Sequence, residues 1–206
     1  MKKGKLIVFE GLDGSGKSTQ AARVAEYLNG PAQKLVFGYK GVHLTKEPTT
    51  NLIGGLIRSR LNGDWQSSSE CLQLLFAADR AYHLEKEVLP LLEKGVMVIS
   101  DRYFFSSIAY GGLDLDSEWL ASVNKNFFPP DFTFFIDVSA KTGMERISGE
   151  RYELTLFEKE KELAKVRTNF HKTLKQFKNV FMINGEQSPD EVTRNILKVL
   201  DSKLSL

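Results

Sequence analysis

Near the start of the chain, eight consecutive residues combine glycines with a lysine and a serine. They are Gly11-Leu12-Asp13-Gly14-Ser15-Gly16-Lys17-Ser18, and they directly follow the apolar run Leu6-Ile7-Val8-Phe9. The glycines let the backbone turn its N–H groups inward, and the positive end of a following helix adds to the attraction for an anion. Lys17 would reach the β- and γ-phosphates, and the Ser18 hydroxyl would ligate Mg²⁺. The pattern predicts that the chain binds a nucleoside triphosphate.

Charged residues that could act on a second anion follow the apolar strands. Lys46 follows the second extended region, and Asp101 and Arg102 follow the apolar run at 96–99. Phosphoryl transfer depends on positioning and on neutralising charge, and open α/β sheets bind ligands at the carboxyl ends of their strands. Asp101 suits a carboxylate that orients Mg²⁺, with Asp137 as a second candidate, whereas an Asp101–Arg102 ion pair that only fixes a loop is the alternative. These residues predict a kinase that brings two anions together.

Other classes of phosphate-loop protein fit less well. A GTPase needs the guanine-reading pattern N-K-x-D, but Asn124-Lys125-Asn126-Phe127 lacks the aspartate, and no D-x-x-G follows a strand. Most motor proteins are longer, because they add accessory domains to the nucleotide-binding core. A regulatory protein that keeps only the ATP cradle stays open as an alternative of a different class.

The composition is typical of an ordinary globular domain. The chain has 206 residues, 42% hydrophobic and 26% charged, with a formal net charge of +2. So small a charge predicts neither nucleic acid nor a membrane as a partner. Cys71 is the only cysteine, which excludes an intrachain disulfide and fits the cytoplasm. No segment resembles a signal peptide or a membrane span. We therefore expect a single cytoplasmic domain over residues 1–206.

Strands and helices alternate, which predicts an α/β fold with a parallel sheet covered on both faces. The predicted strands are 5–10, an extended region at 34–37 and again at 42–45, then 96–99, 132–138 and 180–183. The predicted helices are 17–28, 52–61, a long one over 68–93 that Pro90 bends or breaks, and a last one opened by Ser188-Pro189.

The segment at approximately 143–157 has a different character. Gly143 and Gly149 interrupt a helical stretch, and residues rich in Glu, Lys and Arg follow. We interpret this segment as a lid whose cations are Arg146 and Arg151, with a solvated charged helix face as the alternative.

Five motifs, in this order, resemble those of thymidylate kinases, and the resemblance covers nearly the whole chain. They are 9–20 around the phosphate loop, Leu75-Phe76-Ala77-Ala78-Asp79-Arg80, Asp101-Arg102-Tyr103 with Ser106-Ser107 and Ala109-Tyr110, Pro130-Asp131-Phe132-Thr133 through Ile136-Asp137, and Glu150-Arg151-Tyr152-Glu153. The resemblance implies the three-layer fold of phosphate-loop NTPases, with a five-stranded parallel sheet, helices on both faces and a small lid. It implies transfer of the γ-phosphoryl group of ATP to dTMP, giving dTDP and ADP, with Mg²⁺ required. It also implies a homodimer, for which the helix from Ser68 would provide a surface.

The resemblance assigns a role to each matching residue. ATP would be held by Gly11, Leu12, Asp13, Gly14, Ser15, Gly16, Lys17, Ser18, Thr19 and Arg146. The acceptor would be held by Asp13, Lys46, Arg58, Phe76, Arg80, Arg102, Ser106, Ser107, Tyr110 and Tyr152. Within that set, Phe76 would stack on the thymine, Arg80 would hydrogen-bond its edge, and Tyr110 would disfavour a 2′-hydroxyl by clash. The catalytic residues would be Asp13, Lys17, Arg102 and Arg151, and the metal ligands would be Ser18 and Asp101.

Two departures from the family pattern concern the acceptor. Lys46 stands where bacterial members usually have arginine, and a lysine is a point charge rather than a planar fork, so Arg58 would compensate. Gly111 stands where a glutamine often follows the position of Tyr110, which removes a polar contact to the base. A kinase for another pyrimidine nucleotide or for a deoxynucleoside is therefore the alternative activity.

Overall fold

A sheet of five parallel strands forms the centre of the fold in the computed structural model, which describes residues 3–148 and 154–204. The strands are β1 (Leu6–Gly11), β2 (Gly41–Lys46), β3 (Val96–Asp101), β4 (Phe132–Asp137) and β5 (Val180–Asn184), in the spatial order β2-β3-β1-β4-β5. The central strand β1 pairs with β3 on one side and with β4 on the other. This order brings the carboxyl ends of β1, β2 and β3 side by side, where open α/β sheets bind their ligands.

Helices cover both faces of the sheet. They are α1 (Lys17–Asn29), α2 (Pro31–Phe37), α3 (Leu52–Asn62), α4 (Ser69–His83), α5 (Leu89–Glu93), α6 (Phe104–Gly111), α7 (Ser117–Asn124), α8 (Ala140–Ser148), α9 (Leu154–Leu174) and α10 (Pro189–Leu204). None of these described helices is long and apolar enough to cross a membrane.

The alternation of side chains along β1 explains why this strand is buried at every position and is apolar from Leu6 to Phe9. Leu6 and Val8 contribute to a core shared with α6 and α9, whereas Ile7 and Phe9 contribute to a second core shared with α1 and α10. Successive strand residues point to opposite faces, so a strand covered on both faces must be apolar throughout. The predicted α/β architecture with its parallel five-stranded sheet is confirmed.

The extended region predicted at 34–37 is wrong, because these residues belong to α2. Pro31 opens this helix, where its fixed φ and missing N–H fit the first turn. Gly38, with a φ of 70°, follows the last helical residue, and Phe37 is buried in the core shared with α1. An apolar stretch this short has no periodicity that separates a strand from two turns of helix.

The long helix predicted over 68–93 consists of three segments in a row. A π-helical turn at Leu84–Val88 separates α4 from α5, and the Leu89 N–H donates to Leu84 O. Pro90 lies in the first turn of α5 and has no N–H, so the regular α-helical ladder cannot continue through it. The helical backbone nevertheless runs without interruption from Ser69 to Glu93, and the irregular turn directly precedes α5.

Candidate active site

The loop between β1 and α1 has the backbone of a phosphate cradle. Gly14 and Gly16 have φ angles of 75° and 90°, in the left-handed region that glycine adopts at no steric cost. The Lys17 side chain is buried, donates to Leu12 O at 3.2 Å and lies 3.5 Å from Asp13 Oδ1. Burial and then the charge of Arg102 lower the pKa of Lys17. The lysine is therefore folded across the loop, where phosphate oxygens are its natural partners.

Helix α8 packs against this loop so closely that two glycines are needed. A Cβ on Gly14 would overlap Gly143 O, and a Cβ on Gly143 would lie 2.8 Å from Asp13 O. Gly143 therefore does not interrupt α8, contrary to the prediction, but lets the helix touch the loop. Three residues later, Arg146 donates to Gly185 O at 3.0 Å and to Ser15 O at 3.5 Å. Residues that line a cavity of about 290 Å³ with Arg146 include Ser15, Gly16 and Thr19.

Ser18 and Asp101 meet where α1 begins and β3 ends. Ser18 Oγ donates to Asp101 Oδ2, while Asp101 Oδ1 is buried with no hydrogen-bond partner within residues 3–148 and 154–204. Hydroxyl and carboxylate oxygens are ligands that Mg²⁺ accepts, and an unpaired buried carboxylate oxygen fits a cation or its bound water. Ser18 and Asp101 line a cavity of about 430 Å³, and the exposed Lys46 lines it too. The rival carboxylate, Asp137, is instead paired with Arg167 at 2.7 and 2.9 Å.

Asp13, Arg102 and Tyr110 interlock at the edge of the phosphate loop. Arg102 Nη2 donates to Asp13 Oδ1 at 2.5 Å, the Tyr110 hydroxyl accepts the Asp13 N–H at 3.2 Å, and the guanidinium lies 5.1 Å from the Tyr110 ring centroid. Desolvation opposes the charge of Asp13, but Arg102 and Lys17 hold the pKa of this carboxyl below its ordinary value. Arg102 has a φ of 74°, an uncommon conformation for a residue with a side chain. Contacts with Asp13 and with the Tyr110 hydroxyl, at 3.5 Å, hold the Arg102 side chain beside the loop.

Glu10 was not among the predicted site residues, yet it supports Arg102. It is fully buried, and its Oε1 accepts the N–H groups of Tyr103 at 2.9 Å and Ser106 at 3.1 Å. The Ser106 hydroxyl in turn accepts from Arg102 Nη1 at 2.6 Å. Desolvation raises the pKa of Glu10 to about 7. The available sequence signal was an acidic residue within a continuous apolar strand, a placement that requires a partner.

A cavity of about 400 Å³ lies between α4 and α6, with Asp13 and Arg102 in its wall. The other predicted acceptor residues that line it are Phe76, Arg80, Ser106, Ser107 and Tyr110. Phe76 and Arg80 are four residues apart on α4 and therefore share one face of the helix. We call this space the acceptor cavity.

The Arg80 guanidinium is fixed by a buried network behind the acceptor cavity. Arg80 is 1% exposed, and it donates through Nε to Glu47 Oε2 at 2.8 Å, through Nη1 to Asn124 Oδ1 at 2.6 Å and through Nη2 to Ser107 Oγ at 3.0 Å. A guanidinium has five N–H groups, so two have no partner in the part of the chain that the structure describes and can bind a ligand. Glu47 and Asn124 are positioning residues that the sequence does not reveal, and the only sequence pattern that contains Asn124 is the incomplete guanine-reading one.

The comparison with known proteins agrees with this geometry. A sequence model of the thymidylate kinase family, described as "Thymidylate kinase", matches residues 9–196. The chain belongs to the thymidylate kinase family. It is 41% identical to a probable thymidylate kinase of Pyrococcus horikoshii and 38% identical to one of Thermococcus gammatolerans, each over 98% of both chains. It is 35% identical to a thymidylate kinase of Thermosipho melanesiensis, over 96% of this chain and 98% of the relative. The expected family and its three-layer fold are thus confirmed.

Two predicted acceptor residues of this family member do not line the acceptor cavity. Arg58 Nη1 donates to Thr49 O, and to Pro48 O at 3.5 Å, so its side chain stabilises the turn after β2. Asp79 holds the same turn, since it accepts from the Thr49 N–H at 2.8 Å and from its hydroxyl at 2.6 Å. Lys46 faces the cavity of Ser18 and Asp101 instead.

The remaining predictions concern the lid. Arg151 and Tyr152 lie outside the described residues, as do all of 149–153, so their roles stay predictions. The part of the predicted lid that precedes this gap is the second half of α8, which carries Arg146.

Proposed function

We propose that this chain transfers the γ-phosphoryl group of ATP to the phosphate of dTMP, giving dTDP and ADP. The observation that carries the proposal is the position of Asp13 and Arg102, which lie at the edge of the phosphate loop and also in the wall of the acceptor cavity. A nucleotide in the cavity would present its phosphate to ATP on the loop beside these two residues. Membership of the thymidylate kinase family supports the same reaction.

On the donor side, the loop amides and Lys17 would hold the phosphates of ATP, and Arg146 would pack over its adenine. Ser18 and Asp101 would hold Mg²⁺, which supplies positive charge to the phosphates and keeps them oriented. The support is that Asp101 binds the Ser18 hydroxyl through Oδ2, while its buried Oδ1 has no hydrogen-bond partner among residues 3–148 and 154–204.

On the acceptor side, Phe76 would stack on the base and the spare N–H groups of Arg80 would donate to a base carbonyl. Because Arg80 is already held by three side chains, its donors need no reorganisation when the base arrives. Tyr110 would lie against the deoxyribose and Asp13, an anion at neutral pH, would accept from its 3′-hydroxyl. Arg102 would neutralise the acceptor phosphate, since two polyanions otherwise repel at the transfer point.

We also propose that the protein is a cytoplasmic homodimer without a nucleic-acid or membrane partner. The outer face of α4 carries Leu74, Ala78 and Tyr82, four residues apart, and Leu74 and Tyr82 are 52% and 45% exposed. Such a contiguous apolar stripe supports a packed interface. Analytical ultracentrifugation of Leu74→Glu tests the proposed dimer, with a shift from dimer to monomer as the expected result.

The lone and exposed Cys71 supports a location in the reducing cytoplasm.

A coupled assay of ADP release tests the activity with dTMP, dUMP, dCMP, AMP and thymidine as acceptors. We expect the highest kcat/KM with dTMP. A preference for another pyrimidine nucleotide or for thymidine would favour the alternative kinases. ATP binding without ADP release above background for any acceptor would indicate a regulatory protein and overturn the proposal.

A further inference from the structure

Gln73 has a buried polar atom that no described part of the protein binds. It lies on α4, three residues before Phe76 and seven before Arg80, so the three side chains share one helix face. All three line the acceptor cavity. Gln73 is only 7% exposed, and its Oε1 has no hydrogen-bond partner among the described residues. Buried acceptors are nearly always paired, so this one indicates a ligand.

Helix α6 leaves room for the Gln73 carboxamide. A Cβ on Gly111 would lie 3.0 Å from Gln73 Cδ and 3.1 Å from its Nε2, and 2.9 Å from a methyl group of Leu120. The φ angle of Gly111 is not in the left-handed region, so backbone conformation does not require glycine here. The packing of the Gln73 carboxamide against α6 does require glycine at position 111, since any side chain there would displace the carboxamide.

Arg80 provides the opposite hydrogen-bonding polarity on the same helix face. Its guanidinium can only donate, and within the described ranges its partners Glu47, Asn124 and Ser107 account for three of its five N–H groups. The wall of the cavity therefore offers one acceptor beside fixed donors. Thymine and uracil match this pattern, because their N3–H is flanked by carbonyl oxygens. Cytosine in the same position does not, because its N3 would direct a lone pair at Gln73 Oε1 and its C4 carries an amino group in place of a carbonyl oxygen.

We propose that Gln73 reads the imide edge of the acceptor base, with Oε1 accepting the N3–H while Arg80 donates to an adjacent carbonyl oxygen. This assignment rests on the proposed function, since it requires a pyrimidine nucleotide in the acceptor cavity. It adds the residue that separates thymine and uracil from cytosine. Gln73 does not separate thymine from uracil, which present the same N3–H.

The test is Gln73→Met, which keeps the length of the side chain and removes its hydrogen-bonding atoms. The kcat/KM for dTMP should fall about tenfold, mainly through KM, which corresponds to one lost hydrogen bond. The dTMP-to-dCMP ratio of kcat/KM should fall by the same factor, while the dTMP-to-dUMP ratio stays constant. Wild type should discriminate against dTMP methylated at N3 about tenfold more strongly than the variant does. The melting temperature should not fall, because Oε1 has no partner to lose.

Gln20→Met is the matched control, since Gln20 is a buried helical glutamine with both amide atoms paired. Its Nε2 donates to Pro189 O at 2.9 Å, and its Oε1 accepts from Thr193 at 2.7 Å. This variant should lower the melting temperature and leave the dTMP-to-dCMP ratio unchanged. If wild type phosphorylates dTMP but Gln73→Met keeps the wild-type ratios, the role of Gln73 is wrong and the proposed function stands. A wild type without activity on dTMP overturns both.

Discussion

The phosphate loop holds its functional groups within eight consecutive residues, whereas the wall of the acceptor cavity combines the turn after β2 with α4 and α6, and Asn124 at the end of α7 supports Arg80 from behind it. The loop is shaped by glycine conformations and offers main-chain donors. The cavity depends on buried side chains, and Arg80 alone needs Glu47, Ser107 and Asn124. A site made of backbone depends on local conformation, while a site made of side chains fails when one distant partner is removed. Substitutions at the phosphate loop and at the acceptor cavity should therefore have different effects on activity and stability.

The largest loss of activity is expected for a substitution of Arg102, which contacts the phosphate loop through Asp13 and also lines the acceptor cavity. Arg102→Ala should lower kcat/KM for dTMP by about 10³-fold, the scale at which arginines act on transferring phosphoryl groups. The variant removes the cation between the two anions and the partner of Asp13. Steady-state kinetics with each substrate varied in turn measures the change.

Arg23→Ala is the control for that variant. Arg23 pairs with Asp190 at 2.6 Å on the surface, so its loss should leave the rate close to that of wild type. A decrease of less than tenfold for Arg102→Ala would contradict the placement of Arg102 at the transfer point.

Glu47→Gln tests the dependence of the acceptor half on buried partners. Glu47 faces Arg80 at 2.8 Å and His83 at 3.2 Å, all three buried. Without its carboxylate the guanidinium loses its countercharge, so the free energy of unfolding should fall by about 4 kcal/mol. The KM for dTMP should rise and the KM for ATP should stay constant. Urea denaturation and substrate titrations provide the two measurements.

Asp190→Asn is the exposed counterpart of Glu47→Gln. It breaks the pair with Arg23, whose side chains are 37% and 77% exposed, and should change stability by less than about 1 kcal/mol. Equal losses in the two variants would mean that burial of the Glu47–Arg80 pair is of no consequence.

The same contrast explains what the sequence could predict. The phosphate-binding loop could be predicted because its residues are adjacent in the sequence. The helix face shared by Phe76 and Arg80 could be predicted from helical spacing. The partners of Arg80 could not be predicted, because Glu47 is 33 and Asn124 is 44 residues away along the chain. Glu10 and Tyr103 are 93 residues apart. Helix α2 was missed for a different reason, since its seven residues carry too little periodicity.

Glu10 directly precedes the phosphate loop and binds Ser106 of the acceptor cavity. Its buried carboxyl group should make the stability of the protein depend on pH. Its pKa rises on folding from 4.5 to about 7, first through desolvation, so the folded state binds the extra proton between these values. Stability should therefore decrease as the pH rises from about 4.5 to 7, by about 3 kcal/mol. Glu10→Gln, which cannot ionise, should lack this component. Urea denaturation at pH 4.5 and 7.5 for both proteins measures the difference, and parallel pH profiles would contradict the buried state of this carboxyl.

The smallest effect compares two glycines inside helices, one against the loop and one away from it. Alanine normally stabilises a helix by about 1 kcal/mol relative to glycine. Gly55 of α3 has room for it, since the one contact of a Cβ there with residues 3–148 and 154–204 is Arg58 Nη2 at 3.9 Å, so Gly55→Ala should realise that gain. A Cβ at Gly143 would lie 2.8 Å from Asp13 O. Gly143→Ala should therefore show no gain and should raise the KM for ATP while the KM for dTMP stays the same. Equal stabilisation by the two alanines, with ATP binding intact in both, would show that the loop keeps its shape without the close approach of α8.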